Sequence, residues 1–271
     1  MSLAAIDPGN TRGVKRKQTD QELPVNEATL GEMQERLYAE ATRSLLVVLQ
    51  AMDTGGKDGT VRHAMSGLNP QGARVVSFKV PTPTEAAHHF LWRIRRAAPS
   101  PREVVIFNRS HYEDVLVPRV KKTIPDSAIA KRYREINEFE RGLRESGTQI
   151  VKLCLHISFE EQRQRLRQRL LDPTKRWKFS EQDLVERGHW DDYMSAYDAA
   201  IDATSTAIAP WYIIPANHKW FRNWVVSHIL IETLGEMNPR YPKVKLNIRE
   251  LLKRLEPEPD HREAARVSAQ S

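Results

Sequence analysis

Five short apolar runs interrupt an otherwise polar chain, at residues 45–49, 74–80, 103–107, 149–157 and 211–214. The first is apolar throughout rather than alternating, which predicts a strand buried on both faces, and the third repeats that character. Between the runs the apolar positions fall at helical spacing. Residues 58–65 predict a first helix, ended by Ser66-Gly67. Thr84 predicts the cap of a second, carrying Phe90, Leu91 and Ile94, whose Trp92, Arg93, Arg95 and Arg96 read as a solvated basic face. Asp126–Glu145 carries a stripe of Ile129, Tyr133, Ile136, Phe139 and Leu143, and Gly147 ends it. Ser158 and Glu161 form the capping box of a basic helix, and residues 220–236 predict the last. Strands alternating with helices predict an α/β fold, a parallel five-stranded sheet with helices on both faces.

The ends read differently. Residues 1–27, with Pro8, Gly9, Gly13 and the basic run Lys15-Arg16-Lys17, predict an N-terminal arm. Asn26 or Thr29 caps a helix through Glu32, Leu37 and Ala41 that leads into the first strand. Residues 28–255 then form a single domain, and 256–271, with Pro257 and Pro259, a disordered tail.

In open parallel sheets, ligands bind beyond the carboxyl ends of the strands. The first strand runs there into Ala51-Met52-Asp53-Thr54-Gly55-Gly56-Lys57, one residue short of the G-x-x-x-x-G-K opening of a phosphate-binding loop. Gly55 and Gly56 let successive N–H groups converge on an anion, the following helix adds its positive end, and Lys57 adds a full charge. An ordinary strand-to-helix turn would also use Gly-Gly; the lysine behind a buried strand favours phosphate. The usual loop follows its lysine with Ser or Thr, but here Asp58 follows, then Gly59 and Thr60. Two acids, Asp53 and Asp58, beside a phosphate cradle imply a divalent cation between them.

The third strand ends in Asn108-Arg109-Ser110-His111-Tyr112-Glu113-Asp114. Asn108 stands where phosphate-loop enzymes often place an Mg²⁺-managing Asp. Arg109 suits a phosphoryl group, and Glu113 and Asp114 restore the missing negative charge. A set of helix-capping residues is the plainer alternative. After the fourth strand, Arg165 and Arg169 share one helix face, and the basic loop around Trp177 precedes another helix. A helical lid at about 159–205 fits this place, since a lid closes arginines over phosphates and excludes water.

Composition narrows the classes without deciding among them. With 271 residues, 40% hydrophobic and 28% charged, the chain suits a globular protein. The single cysteine, Cys154, allows no disulfide framework and reads as a buried hydrophobe. No apolar run is long enough to span a membrane, and no signal peptide is legible, so the cytoplasm is expected. A net charge of +7 points to an anionic partner. A nucleic-acid-binding module would use that charge but would leave the glycine-rich loop without a role. An ATP-dependent nucleotide or nucleoside kinase remains open.

The blocks LLVVLQAMDTGGKDGT, NPQGARVVSFKVPTPTE, FNRSHYEDVLV, DPTKRWKFS with ERGHWDDYMSAYDAAIDATST, and APWYIIPANHKWFRN together resemble the family 2 polyphosphate kinases. The resemblance covers roughly residues 29–236. It implies a P-loop kinase-like, thymidylate-kinase-like fold and Mg²⁺-dependent phosphoryl transfer between inorganic polyphosphate and adenine or guanine nucleotides, with Mn²⁺ as a substitute metal. It implies catalytic roles for Asp53, Lys57, Arg109 and, as the lid arginine, Arg165. Metal binding is expected at Asp53, Asp58 and Glu113, and phosphate binding at Gly55, Gly56, Asp58, Gly59, Thr60 and Arg169. A polyphosphate track is expected at Arg119, Lys121 and Lys122. Asn108 in place of Asp, and Glu113 in place of Asn, resemble the subgroup that accepts both nucleoside mono- and diphosphates. A homo-oligomer, dimer or tetramer, is expected, with neither nucleic acid nor membrane as partner.

Overall fold

A computed structural model describes residues 2–255, so the tail expected from Glu256 lies outside the described residues. The five strands are β1 (Ser44–Gln50), β2 (Ala73–Ser77), β3 (Val104–Asn108), β4 (Thr148–His156) and β5 (Trp211–Pro215). All pair in parallel, in the order β2-β3-β1-β4-β5. The helices connecting them are α2 (Lys57–Ala64), α3 (Pro83–Ala86), α4 (Trp92–Ala97), α5 (Glu113–Val120), α6 (Asp126–Glu145), α7 (Phe159–Leu171), α8 (Glu181–Arg187) and α9 (Trp190–Thr204). Before the sheet runs α1 (Arg16–Glu40), and after it α10 (Lys219–Met237).

The continuous burial of β1 divides between two cores. Leu46 and Val48 face one core with Ile136 and Phe139 of α6 and Ala196 and Ala200 of α9. Leu45, Val47 and Leu49 face the other, with Leu30 and Leu37 of α1 and Val226 and Leu230 of α10. Alternate residues of a strand point to opposite faces, so a run apolar at every position needs helices on both. Placed centrally, β1 carries the glycine-rich loop at the middle of the sheet.

Several local expectations are corrected. The helix before β1 begins at Arg16, inside the expected arm, and neither Asn26 nor Thr29 caps it. Asn26 is buried mid-helix and donates to Ser227 Oγ of α10 at 2.9 Å, while the Thr29 hydroxyl donates back to the Val25 carbonyl. The arm's Leu3 is buried, its N–H donating to Asp198 of α9 at 2.7 Å. The second strand stops at Ser77 because its partner β3 stops opposite it at Asn108. Thr82 rather than Thr84 caps the next helix, through a complete capping box with Glu85, and that helix is split into α3 and α4. Arg93 is not on a solvated face: it is buried and donates to the Lys79 carbonyl at 2.8 Å. The compact body ends at Tyr241 rather than 255; from Pro242 a separate unit begins, with a helix at Ile248–Leu255.

Candidate active site

The site is built around the turn between β1 and α2. Gly56 has a φ of +106°, a backbone state that side chains rarely adopt. A Cβ there would also collide with Arg222 Nη1. Thr54, at φ 62°, completes the tight course of the loop. Lys57 opens α2 and curls back to donate from Nζ to the Ala51 carbonyl at 2.7 Å. Burial pulls its ammonium below the usual lysine range, and nearby Arg109 adds to that, against the carboxylates of Asp53, Glu113 and Asp58.

The turn after β3 supplies the opposing wall. Arg109 has a φ of 62° and donates from Nη2 to Asp53 Oδ1 at 2.7 Å. Glu113 begins α5 and accepts from Gln50 Nε2 at 3.2 Å. Burial lifts its carboxyl above the ordinary range despite the cations of Arg109 and Lys57. The other amide atom of that glutamine, Oε1, is buried without a partner among the described residues. Asp58 is tied differently. Asn108 donates to one of its oxygens at 2.9 Å, and Lys178 of the lid lies 3.4 Å from the other.

Helix α7 and the segment after β5 brace the loop from the far side. Gln162, buried, donates to the Asp53 carbonyl at 3.1 Å, and Arg187 of α8 donates to Gln162 at 2.8 Å. Arg165 is also buried. Its Nε meets Glu161 at 2.7 Å, Nη1 donates to the Thr54 carbonyl at 3.0 Å, and Nη2 donates to the Ala216 and Asn217 carbonyls at 2.6 and 3.2 Å. With five guanidinium N–H groups available, this leaves one on Nη1. Arg165, the expected lid arginine, thus braces the loop backbone while also bordering an open cleft. Glu161 is drawn to Arg165 instead of closing the capping box with the Ser158 N–H; the Ser158 hydroxyl still accepts from the Glu161 N–H.

One open cleft gathers Asp53, Gly55, Gly56, Lys57, Asp58, Gly59, Arg109, Arg165 and Arg169. Glu113 stands just behind it, coupled electrostatically to Lys57 and Arg109. Thr60 does not join: it is buried, and its hydroxyl donates to the Gly56 carbonyl at 3.1 Å. Arg119, Lys121 and Lys122, the expected track, are not among the residues that line the cleft. Lys121 pairs with Glu186 of α8 at 2.9 Å. A second hollow, near Gly147 and Tyr212, lies at the amino ends of β4 and β5 and holds none of these groups.

The cleft also holds residues that the motifs did not single out. Lys175, Lys178, Asp183, Lys219 and Arg222 all line it. Arg222 is 2% exposed, and its acceptor among the described residues is the neighbouring Asn223 Oδ1, from Nη2 at 2.7 Å. Burial and Arg165 lower its guanidinium to about 10. A buried cation without a carboxylate, lying against the start of α2, is a poor structural element and a good anion ligand. The available signal was one basic residue among the buried positions of the last helix, with Phe221 and Val226.

Comparison with known proteins agrees with this geometry. The family model described as Polyphosphate kinase 2 matches residues 13–242. The chain is 54% identical over 243 residues to the AMP/ADP-polyphosphate phosphotransferase of Meiothermus ruber, covering 89% of this chain and 91% of that one. It is 44% identical over 226 residues to the ADP-polyphosphate phosphotransferase of Rhodopseudomonas palustris, covering 79% and 78%. The crystal structure of Polyphosphate Kinase 2 from Arthrobacter aurescens TC1 superposes with a TM-score of 0.92 at 44% identity, over 95% of this chain and 93% of that one. With the family model matched over most of the chain, and close relatives alike in sequence and in shape, the chain belongs to the Polyphosphate kinase 2 family of enzymes.

Proposed function

We propose that this enzyme transfers phosphoryl groups between inorganic polyphosphate and nucleotides, turning nucleoside diphosphates into triphosphates and monophosphates into diphosphates, with adenine acceptors favoured. The observation that carries the reading is the meeting of Asp53, Lys57 and Arg109 at the glycine-rich turn, with Arg109 held 2.7 Å from Asp53. Phosphoryl transfer asks little covalent chemistry of a protein; it needs alignment and cations around spreading negative charge. The N–H groups near Gly55 and Gly56, with Lys57, hold a phosphate. Arg109 steadies the group in transit. The attacking phosphate oxygen is already ionised, so no general base is required. Arg165 and Gln162 keep the loop in shape. The relatives named for AMP and ADP support both acceptor classes.

The donor set suits Mg²⁺. Among the described residues no three acidic, histidine or cysteine side chains converge into a metal cage. Mg²⁺ is usually held by one or two carboxylates together with substrate phosphates. Asp53 and Glu113 supply the carboxylates, and the unpartnered Gln50 Oε1 is a further hard oxygen beside them. Asp58 is a third candidate that lines the cleft, its oxygens met by Asn108 and Lys178 as an Asp53 oxygen is met by Arg109. When bound, the cation screens the charges of the two phosphate chains. Incubation with ADP, Mg²⁺ and polyphosphate, without ATP, should yield ATP, and Lys57→Ala should abolish the yield while remaining folded. Absence of ATP from the unsubstituted enzyme would reject the reading in favour of an ATP-dependent kinase. Parallel assays with AMP, GMP and GDP rank the acceptors.

A further inference from the structure

Beneath the turn that carries Arg109 and Glu113 lies a polar cluster which the proposed reaction does not use. His111, Tyr112, Glu140 of α6 and Lys152 of β4 are each 0–1% exposed. Lys152 Nζ donates to Glu140 Oε2 at 2.7 Å, to the Tyr112 hydroxyl at 3.0 Å and to the Thr204 carbonyl of α9 at 2.7 Å. All three ammonium hydrogens are therefore placed. The Tyr112 hydroxyl donates onward to Glu140 Oε1 at 2.8 Å, and His111 Nε2 lies 3.3 Å from the same oxygen.

Stability is a poor explanation for this arrangement. A buried ion pair recovers its desolvation cost only with good geometry, and volume-matched apolar pairs often do as well or better. What an apolar pair lacks is direction. The cluster joins α6, β4 and α9 at one point, and two successive residues of the turn, His111 and Tyr112, reach into it. Arg109, just before them, is held in left-handed backbone at φ 62°. Such a conformation in a non-glycine residue persists only where its surroundings over-determine it. The Ser110 hydroxyl, buried, accepts the Tyr112 N–H at 3.2 Å and tightens the same turn.

We propose that the buried Glu140–Lys152 pair, acting through Tyr112 and His111, is a positioning device that holds Arg109 and Glu113 in register with the phosphate loop. The proposal rests on the site reading given above. Its test compares Glu140→Leu/Lys152→Met, which removes both charges at similar volume, and Tyr112→Phe, which removes one hydroxyl. Leu230→Ala, in the opposite core, serves as a control that loses stability without touching the turn, and Arg109→Ala tests the site itself. Thermal midpoints and kcat and KM for ADP at saturating polyphosphate and Mg²⁺ are measured for each. The positioning variants should fold and lose about tenfold to a hundredfold in kcat, the scale of a small misplacement of a catalytic group. Their KM should stay close to that of the unsubstituted enzyme, while Leu230→Ala keeps its kcat. A wild-type kcat in Tyr112→Phe or in the double variant, beside an inactive Arg109→Ala, overturns the proposal and leaves the site reading standing. An active Arg109→Ala overturns both. If the double variant does not fold, Tyr112→Phe decides alone by the same criterion.

Discussion

Arg222 contrasts with Lys57, another buried cation at the loop. Lys57 is surrounded by the carboxylates of Asp53, Glu113 and Asp58, whereas the nearest charged influence on Arg222 is another cation, Arg165. Removing Arg222 should therefore separate binding from folding. Arg222→Met is expected to unfold at the same or a higher temperature, because an uncompensated buried charge leaves the core. It is also expected to bind polyphosphate about tenfold more weakly, the scale of one charge-assisted hydrogen bond. A lowered midpoint with unchanged affinity would make the residue structural. Asp53, Lys57 and Arg109 were legible in the sequence because each sits in a local motif directly after a buried strand. Arg222, Gln162 and Lys219 were not, since tertiary packing brings them to the loop and no local periodicity marks that approach. Arg165 was legible as a position, but its bonds to the Thr54 and Ala216 carbonyls could be seen only in the fold.

At the scale of elements, an ion pair adds to the packed joint between α1, β1 and α10. Arg43 grips Glu40 with two bonds of 2.7 Å and donates to the Met237 carbonyl at 2.6 Å. The Arg43 hydrogen bonds are the main cause pulling the Glu40 carboxyl from 4.5 to about 2. The folded chain thus binds this proton more weakly than the unfolded chain does. The stabilisation is complete above pH 4.5 and fades as pH falls towards 2. Glu40→Gln should lower the thermal midpoint at neutral pH, with the gap to the unsubstituted chain closing across that window. A gap independent of pH would mean the side chain acts by packing. The central strands β3, β1 and β4 were legible because they are apolar runs buried on both faces; the edge strands β2 and β5 were legible from apolar composition although they are only partly covered. Of the long first helix only the second half was legible. Its buried positions include Thr19, Asn26 and Gln34 beside Leu30 and Leu37, so polar groups on the buried face blur the periodicity.

Across the whole molecule, the net charge of +7 is concentrated where it has work to do. Lys175, Lys178, Lys219, Arg165, Arg169 and Arg222 all border one cleft, with Asp183 and Asp58 among them. A long polyanion meets several of these charges at once, and a nucleotide fewer. Raising salt from low ionic strength should therefore raise the KM for long-chain polyphosphate more steeply than the KM for ADP, since added ions shorten the reach of exposed charges to about 8 Å at physiological strength. Equal salt slopes would place the chain's binding energy in close, buried contacts instead. The sequence predicted a lid between β4 and β5, and α7, α8 and α9 occupy that interval. It also predicted a polar arm, yet Leu3 docks into the core, because a single apolar residue in a polar stretch carries no recognisable pattern.

The central seat of β1 has a consequence for time as well as for space. Its residues are laddered to β3 on one side and to β4 on the other, and every one of them is buried. Amides in such a position exchange with solvent deuterium only when the whole domain opens, whereas those at exposed loops and lid tips exchange through small local fluctuations. The glycine-rich loop grows directly out of this slowest-exchanging strand. The largely exposed basic segment from Asp172 to Ser180 should exchange far faster, so that one half of the cleft is slow and the other quick.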